Sequence, residues 1–155
     1  MSHTTVHQEI IKLLPYAEPF LFVDEVISVS EDGVIGTYTY PKESDFYRGH
    51  FKNNPITPGV ILTDTMAQIG VVCLGIFLNL DNIQDVKDLQ IAMTSSEVEY
   101  LLPVLPEEKV TVTSTKVYYR FGKLKCAVSM TNLSGVIVCR GTISGIIKKS
   151  STTNH

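Results

Sequence analysis

The sequence predicts an α+β protein in which a curved antiparallel sheet wraps one long central helix. Two observations carry that expectation. The first is the run GVILTDTMAQIGVVCLGIFLNL, residues 59–80, in which Asp64 is the only charged side chain. A helix apolar on nearly every face cannot lie on one side of a sheet with its back to water. It has to be enclosed by the sheet or covered by a second subunit. The second is a set of six segments rich in β-branched and aromatic residues, at 20–30, 34–41, 89–101, 109–121, 124–132 and 136–147. A chain of 155 residues forms one domain but would hardly cover such a helix alone, so a dimer is expected.

Taken in order, TVHQEIIKLL (5–14) has helical periodicity and is stopped by Pro15. FLFVDEVISVS, the turn EDG and VIGTYTYP read as a β-hairpin. SDFYRGHFKNNPITPG (44–59) holds two glycines, two prolines and two asparagines, the composition of a structured loop. The long helix is expected over about 59–78, capped by Thr57, with Pro58 in its first turn where a missing N–H costs nothing. NLDNIQDVKD is a connector. Leu124, Cys126, Val128 and Met130 alternate onto one face of their strand, and Ile137, Cys139 and Ile143 onto one face of the next. NLSG joins these two strands as a hairpin. Residues 1–148 read as the single domain and 149–155 as a polar tail expected to fray.

Composition narrows the class. Hydrophobic content of 44% and charged content of 19% are those of a globular protein. Net charge is −3, and no nucleic-acid partner is expected. Cys73, Cys126 and Cys139 are odd in number and apolar in context, which suits reduced core thiols in a cytoplasmic protein. Their spacing suggests no metal site. The start, MSHTTVHQEI, lacks the charged-then-apolar order of a signal peptide. Residues 59–80 are long enough to cross a bilayer, but Asp64 and Gln68, four apart on one face, favour a buried helix over a membrane span.

His50 is the one histidine away from the chain ends. In a loop it is either a hydrogen-bonded structural residue or a base, since imidazole exchanges a proton near neutral pH. Gly49 removes bulk beside it and Phe51 can pack the loop down. Asp64 follows fourteen positions later. Aspartate is disfavoured inside a helix, and costly on an apolar one unless paired or protonated. It is either bonded to Gln68 or a backbone group, or an acid whose pKa the apolar surroundings raise so that it donates a proton. Gly59 lies in the first helical turn. There, unpartnered N–H groups backed by the helix dipole can stabilise charge on a carbonyl oxygen. It reads equally as a turn glycine beside Pro58. A base, an acid and an oxyanion donor in an apolar setting suit elimination or isomerisation beside a carbonyl.

At these residues the sequence resembles the β-hydroxyacyl-acyl carrier protein dehydratases of the FabZ/FabA type, which have the hotdog fold. The motif is Gly49-His50-Phe51, then Asn54-Pro55-Ile56-Thr57-Pro58-Gly59-Val60, then Asp64-Thr65-Met66-Ala67-Gln68, against a family pattern of approximately GHFPxxPxMPGVLxxEAMAQ. Leu14-Pro15 with Pro19-Phe20-Leu21-Phe22-Val23-Asp24 is similar to LPHRYPFLLVD, and Pro103-Val104-Leu105-Pro106 to RPVVPGD. The resemblance implies dehydration of a 3-hydroxyacyl thioester carried by acyl carrier protein to the trans-2-enoyl thioester, with no metal and no cofactor. It implies sites at a dimer interface, with His50 from one chain and Asp64 from the other. His50 takes the α-proton, Asp64 assists loss of the β-hydroxyl, and the Gly59 and Val60 backbone holds the thioester oxygen. Phe51, Pro58, Gln68, Tyr100 and Phe121 are candidates for the acyl tunnel, although strand aromatics are more often core. Arg48 and Lys52 are candidates for docking the carrier, or are solvated loop charges. The assembly could be a homodimer, a larger assembly of dimers or a heterodimer.

The departures from the pattern keep other readings open. Asp64 stands where FabZ-type enzymes have glutamate and FabA-type enzymes aspartate, while PFLFVDEV looks like FabZ. The methionine before the Pro-Gly pair is Thr57, the proline after GHF is Lys52, and the basic FRRP stretch is Tyr100-Leu101-Leu102-Pro103. A non-catalytic subunit of a dehydratase heterodimer and a hotdog thioesterase are the alternatives.

Overall fold

The structure, a computed structural model, describes residues 3–83 and 85–149. Helix α1 (His3–Lys12) leads to strands β1 (Glu25–Ser30) and β2 (Gly33–Thr39), then to the long helix α2 (Gly59–Leu78). Strands β3 (Leu89–Tyr100), β4 (Lys109–Arg120), β5 (Lys123–Thr131) and β6 (Ile137–Lys149) follow. The six strands form one sheet in the order β1-β2-β4-β5-β6-β3, with every neighbouring pair antiparallel. The sheet curls around α2, as the expected hotdog fold requires. Most of the expected tail, residues 150–155, lies outside the described residues; Lys149 closes β6.

Period-two alternation decides which side chains meet α2. Leu124, Cys126, Val128 and Met130 are all buried, as are Val110 and Val112 on β4 and Cys139 and Ile143 on β6. Ile137 departs from the expected face. Met130 pairs with Cys139 but Thr131 with Ile137, so Val138 is an extra residue in a bulge and is itself fully buried. The segment before β1 also departs, because the ladder begins only at Glu25. The Phe22 N–H instead donates to Oε1 of Gln68 on α2, at 2.8 Å.

Helix α2 is enclosed as its composition demands, with Met66, Ile69, Leu74 and Ile76 wholly buried. By length and composition it could cross a bilayer, yet most of it is buried in the chain's own fold. Two details correct the sequence reading. The helix is not uniformly α, because Gln68–Cys73 is a π-helical stretch, whose Gly70 carbonyl accepts from the Ser114 hydroxyl at 2.8 Å. Thr57 does not cap the helix either. Pro58 occupies the cap position without a side-chain bond, and the Thr57 hydroxyl is engaged by Tyr47 instead.

Gly75 marks the closest approach of α2 to the sheet, since a Cβ there would come within 2.3 Å of Cγ2 and 2.8 Å of Cβ of Ile147. The second atom belongs to the stiff branch point of the side chain, which cannot swing away. Gly75→Ala is therefore expected to destabilise the fold by about 1–3 kcal/mol despite its gain in helix propensity, as read from the denaturant midpoint.

Candidate active site

The His50 loop is built from short backbone bonds. A turn of 3₁₀ helix, Asp45–Arg48, presents the Phe46 carbonyl to the His50 N–H at 3.1 Å. The His50 carbonyl then accepts from the Ile56 N–H at 2.8 Å, while Phe51 and Asn54 exchange a reciprocal pair at 3.0 Å. Phe51 stacks on the imidazole with centroids 4.0 Å apart and is itself half exposed. His50 is half-buried, and its Nδ1 lies 2.9 Å from the Ile56 carbonyl oxygen. A carbonyl can only accept, so Nδ1 carries a proton, and in the neutral ring the lone pair lies on Nε2. The Thr57 N–H, on the far side of the same peptide unit, donates to the Val104 carbonyl at 2.9 Å. The histidine's partner is thus a pinned carbonyl, which no side-chain pattern in the sequence announces.

Helix α2 begins immediately after this loop. The Ile61 and Leu62 N–H groups reach the Pro58 carbonyl at 2.9 and 3.2 Å. The preceding two, on Gly59 and Val60, have no acceptor among the described residues, as expected of a first turn. Tyr100 lies over Gly59, where a Cβ would meet its ring at 3.1 Å, and the Tyr100 hydroxyl is hydrogen-bonded to that of Thr63. His50, Ile56, Thr57, Gly59, Leu62 and Tyr100 line one open groove of about 390 Å³, rimmed by Leu101, Leu102 and Pro103. The structure therefore brings the proposed base, the helix-start donor and one tunnel aromatic together.

Asp64 does not line that groove. It is half-buried on α2, where Gln68 Nε2 donates to its Oδ2 at 2.7 Å. Gln68 is completely buried and fixed on its other bonds by the Phe20 carbonyl and the Phe22 N–H. Burial pushes the Asp64 carboxyl above the ordinary carboxylate range, and the bond from Gln68 pulls it only partly back. Asp64 is thus bonded to Gln68 and at the same time shifted upward by its burial. Val60 is 74% exposed beside it. Phe121 stands fully in solvent at the β4–β5 turn and is not brought to the groove. Arg48 is paired with Asp45 at 3.3 Å and Lys52 is exposed. Among the described residues no cluster of side chains could hold a metal.

The fold defines a hotdog protein. Known proteins agree. The FabA-like domain family matches residues 14–142, and the chain belongs to that family. It is 33% identical over 147 residues to a 3-hydroxyacyl-acyl-carrier-protein dehydratase FabZ of Sinorhizobium fredii, covering 90% of this chain and 88% of that one. It is 29% identical over 147 residues to the FabZ of Ehrlichia canis, covering 92% and 95%. Among solved structures, the dehydratase heterocomplex ApeI:P from Xenorhabdus doucetiae superposes with a TM-score of 0.75 at 13% identity, covering 92% of each chain. A hypothetical thioesterase of Streptococcus pneumoniae with coenzyme A gives 0.59 at 16% identity, covering 81% and 86%. At such identities these two likenesses show the fold.

The upward shift of Asp64 has a sign that stability can report. Its folded pKa exceeds the unfolded value of about 3.9, so the folded state holds the proton more tightly. The stability that the neutral carboxyl contributes is complete below about pH 4 and is lost as pH rises through the folded pKa. Asp64→Asn, which cannot ionise, is expected to melt above the parent protein at pH 7. The gap should close on acidification to about pH 4, a comparison made by thermal unfolding across pH.

Proposed function

We propose that the protein dehydrates 3-hydroxyacyl thioesters of acyl carrier protein to trans-2-enoyl thioesters, in fatty-acid or related acyl-chain synthesis. The observation that carries this reading is the groove itself: a histidine whose Nε2 is left free, beside two unbonded N–H groups of a helix start, in a chain of the FabA-like family. His50 Nε2 takes the proton from C2. The electron pair of that bond forms the C2–C3 double bond as the C3–O bond breaks. Charge building on the thioester oxygen is met by the Gly59 and Val60 N–H groups. Asp64, whose hold on a proton is strengthened by its burial, gives a proton to the departing hydroxyl, which leaves as water. The three cysteines are free and buried, which suits a reducing cytoplasm.

Asp64 and His50 of one chain face different spaces, which supports a site shared between two chains. Strand β3 offers the surface for it: twelve residues at the end of the sheet, paired on one edge only, with Met93 and Tyr100 about half exposed. An unpaired edge of that length invites a second strand. We infer that two-fold pairing of β3 with its copy brings Asp64 of one chain to the His50 loop of the other and completes the site.

Carrier docking draws on a charge pattern that the motifs do not show. After Glu108 the chain has eight cationic side chains and no aspartate or glutamate. Arg120, Lys123, Lys125 and Lys148 gather at the β4–β5 turn around exposed Phe121, with Lys148 packed against Gly122. Arg48 and Lys52 flank His50 but are few, and the first is neutralised by Asp45. We assign the main contact with an acidic carrier to the β4–β5 turn, with Arg48 and Lys52 beside the entrance.

Incubation with a 3-hydroxyacyl-carrier thioester is expected to produce enoyl absorbance reversibly, with no free thiol; thiol release would mean a thioesterase. A dimer inert toward every chain length would mean an auxiliary subunit. His50→Ala should lose about 10²–10⁴-fold in turnover while keeping its mass in light scattering. Lys123→Glu with Lys125→Glu should raise KM for the carrier-linked substrate about tenfold, and leave a free pantetheine thioester unaffected.

A further inference from the structure

The hydroxyl of Tyr47 lies 2.5 Å from that of Thr57, and both residues are buried, at 6% and 3% exposure. The mechanism gives neither side chain a task. Their position in the loop does. Thr57 supplies the N–H of the peptide unit whose carbonyl holds His50 Nδ1, and Pro58 alone separates it from Gly59. Three ties therefore converge on one residue: its N–H on Val104, its hydroxyl on Tyr47, and the neighbouring carbonyl on the imidazole. Tyr47 also ends the stretch that leads into His50, since its own N–H donates to the Ser44 carbonyl at 3.1 Å within the preceding turn. The bond thus closes the loop between residues 47 and 57, which carries His50, onto the start of the helix that presents the Gly59 and Val60 N–H groups.

We propose that Tyr47 and Thr57 are positioning residues, whose hydrogen bond sets the distance and angle between the His50 imidazole and the Gly59 and Val60 N–H groups. This rests on the dehydratase reading for its kinetic consequence but not for its structural one. The family pattern quoted above has methionine at position 57, a side chain that cannot donate such a bond, so the tie belongs to the threonine of this chain. Tyr47 stands outside the groove, and Thr57, which borders it, is almost wholly buried, so neither is assigned a reacting atom. Removing the bond leaves the thioester its contacts and lets the base drift from C2, which lowers kcat more than it raises KM.

The test is a double-mutant cycle on the full-length protein with Tyr47→Phe, Thr57→Val and both together, and Thr57→Ser as the conservative control. Each single variant is expected to lose about tenfold to a hundredfold in kcat with KM within about twofold. The combined variant should lose no more than the worse single one, and Thr57→Ser should stay near the parent. A second readout needs no turnover: the His50 Nδ1 proton, followed by NMR, should be slow to exchange in the parent and Thr57→Ser proteins and fast in Tyr47→Phe. An unchanged Nδ1 proton signal in Tyr47→Phe overturns the proposal, as do independent losses that multiply in the combined variant. An inert parent protein with the expected proton behaviour would count against the dehydratase reading and for the clamp.

Discussion

Everything in this molecule follows from the need to keep α2 out of water. Its side chains are apolar around nearly the whole circumference, so no flat sheet could shield it, and the sheet must curl. The curl requires close approach, met by Gly75 against Ile147, and mostly apolar interior faces on β4, β5 and β6. The same enclosure places the start of α2 where the Gly59 and Val60 N–H groups have no acceptor among the described residues and Gly59 borders an open groove. A structural necessity and a chemical resource are thus the same object, because the end of a buried helix supplies fixed dipoles that need not reorganise.

The polar groups near α2 show how an apolar core tolerates function. Asp64 would be untenable as a bare charge, and it is made tolerable in two ways: its pKa moves up, and Gln68 donates to it. Gln68 is itself anchored by backbone groups of the segment before β1, so the acid is tied to the segment that closes over the helix. Ser114 similarly answers the carbonyl of Gly70 within the π-helical stretch. Gln68 and Ser114 each meet a backbone group, whereas the buried Thr37 hydroxyl has no partner among the described residues.

Charge is divided along the chain as sharply as hydrophobicity. The first 108 residues contain all sixteen acidic side chains, and the remainder none. The acidic part builds α1, the first hairpin, the His50 loop, α2 and β3; the cationic part builds the three-stranded unit β4–β6. A division of this kind has no bearing on the fold but sets the field an approaching acidic partner meets. It was legible in the sequence as a count, though no contiguous basic block drew attention to it. Only the pairing of Lys148 with the β4–β5 turn gathers scattered lysines into one surface.

The strands and α2 were legible from the sequence because period-two and all-round apolar patterns are local consequences of burial, and the shift on Asp64 followed from an acid in such a run. The motif of Gly49-His50-Phe51 through Asp64 named the candidate base, acid and oxyanion donor. Tertiary structure alone decided the rest. Thr57 carries the usual composition of a helix cap, yet its hydroxyl goes to Tyr47, because that tyrosine, ten residues earlier, is brought against it by the loop's closure. Val138 enters the core through a bulge that strict alternation cannot foresee. Phe121 looks like core in a strand of aromatics and ends fully exposed, because the strand turns one residue before it. Local pattern determines what must be buried; only the meeting of distant segments decides which polar atom each hydroxyl and carbonyl finds, since those partners compete at similar energies and are selected by proximity.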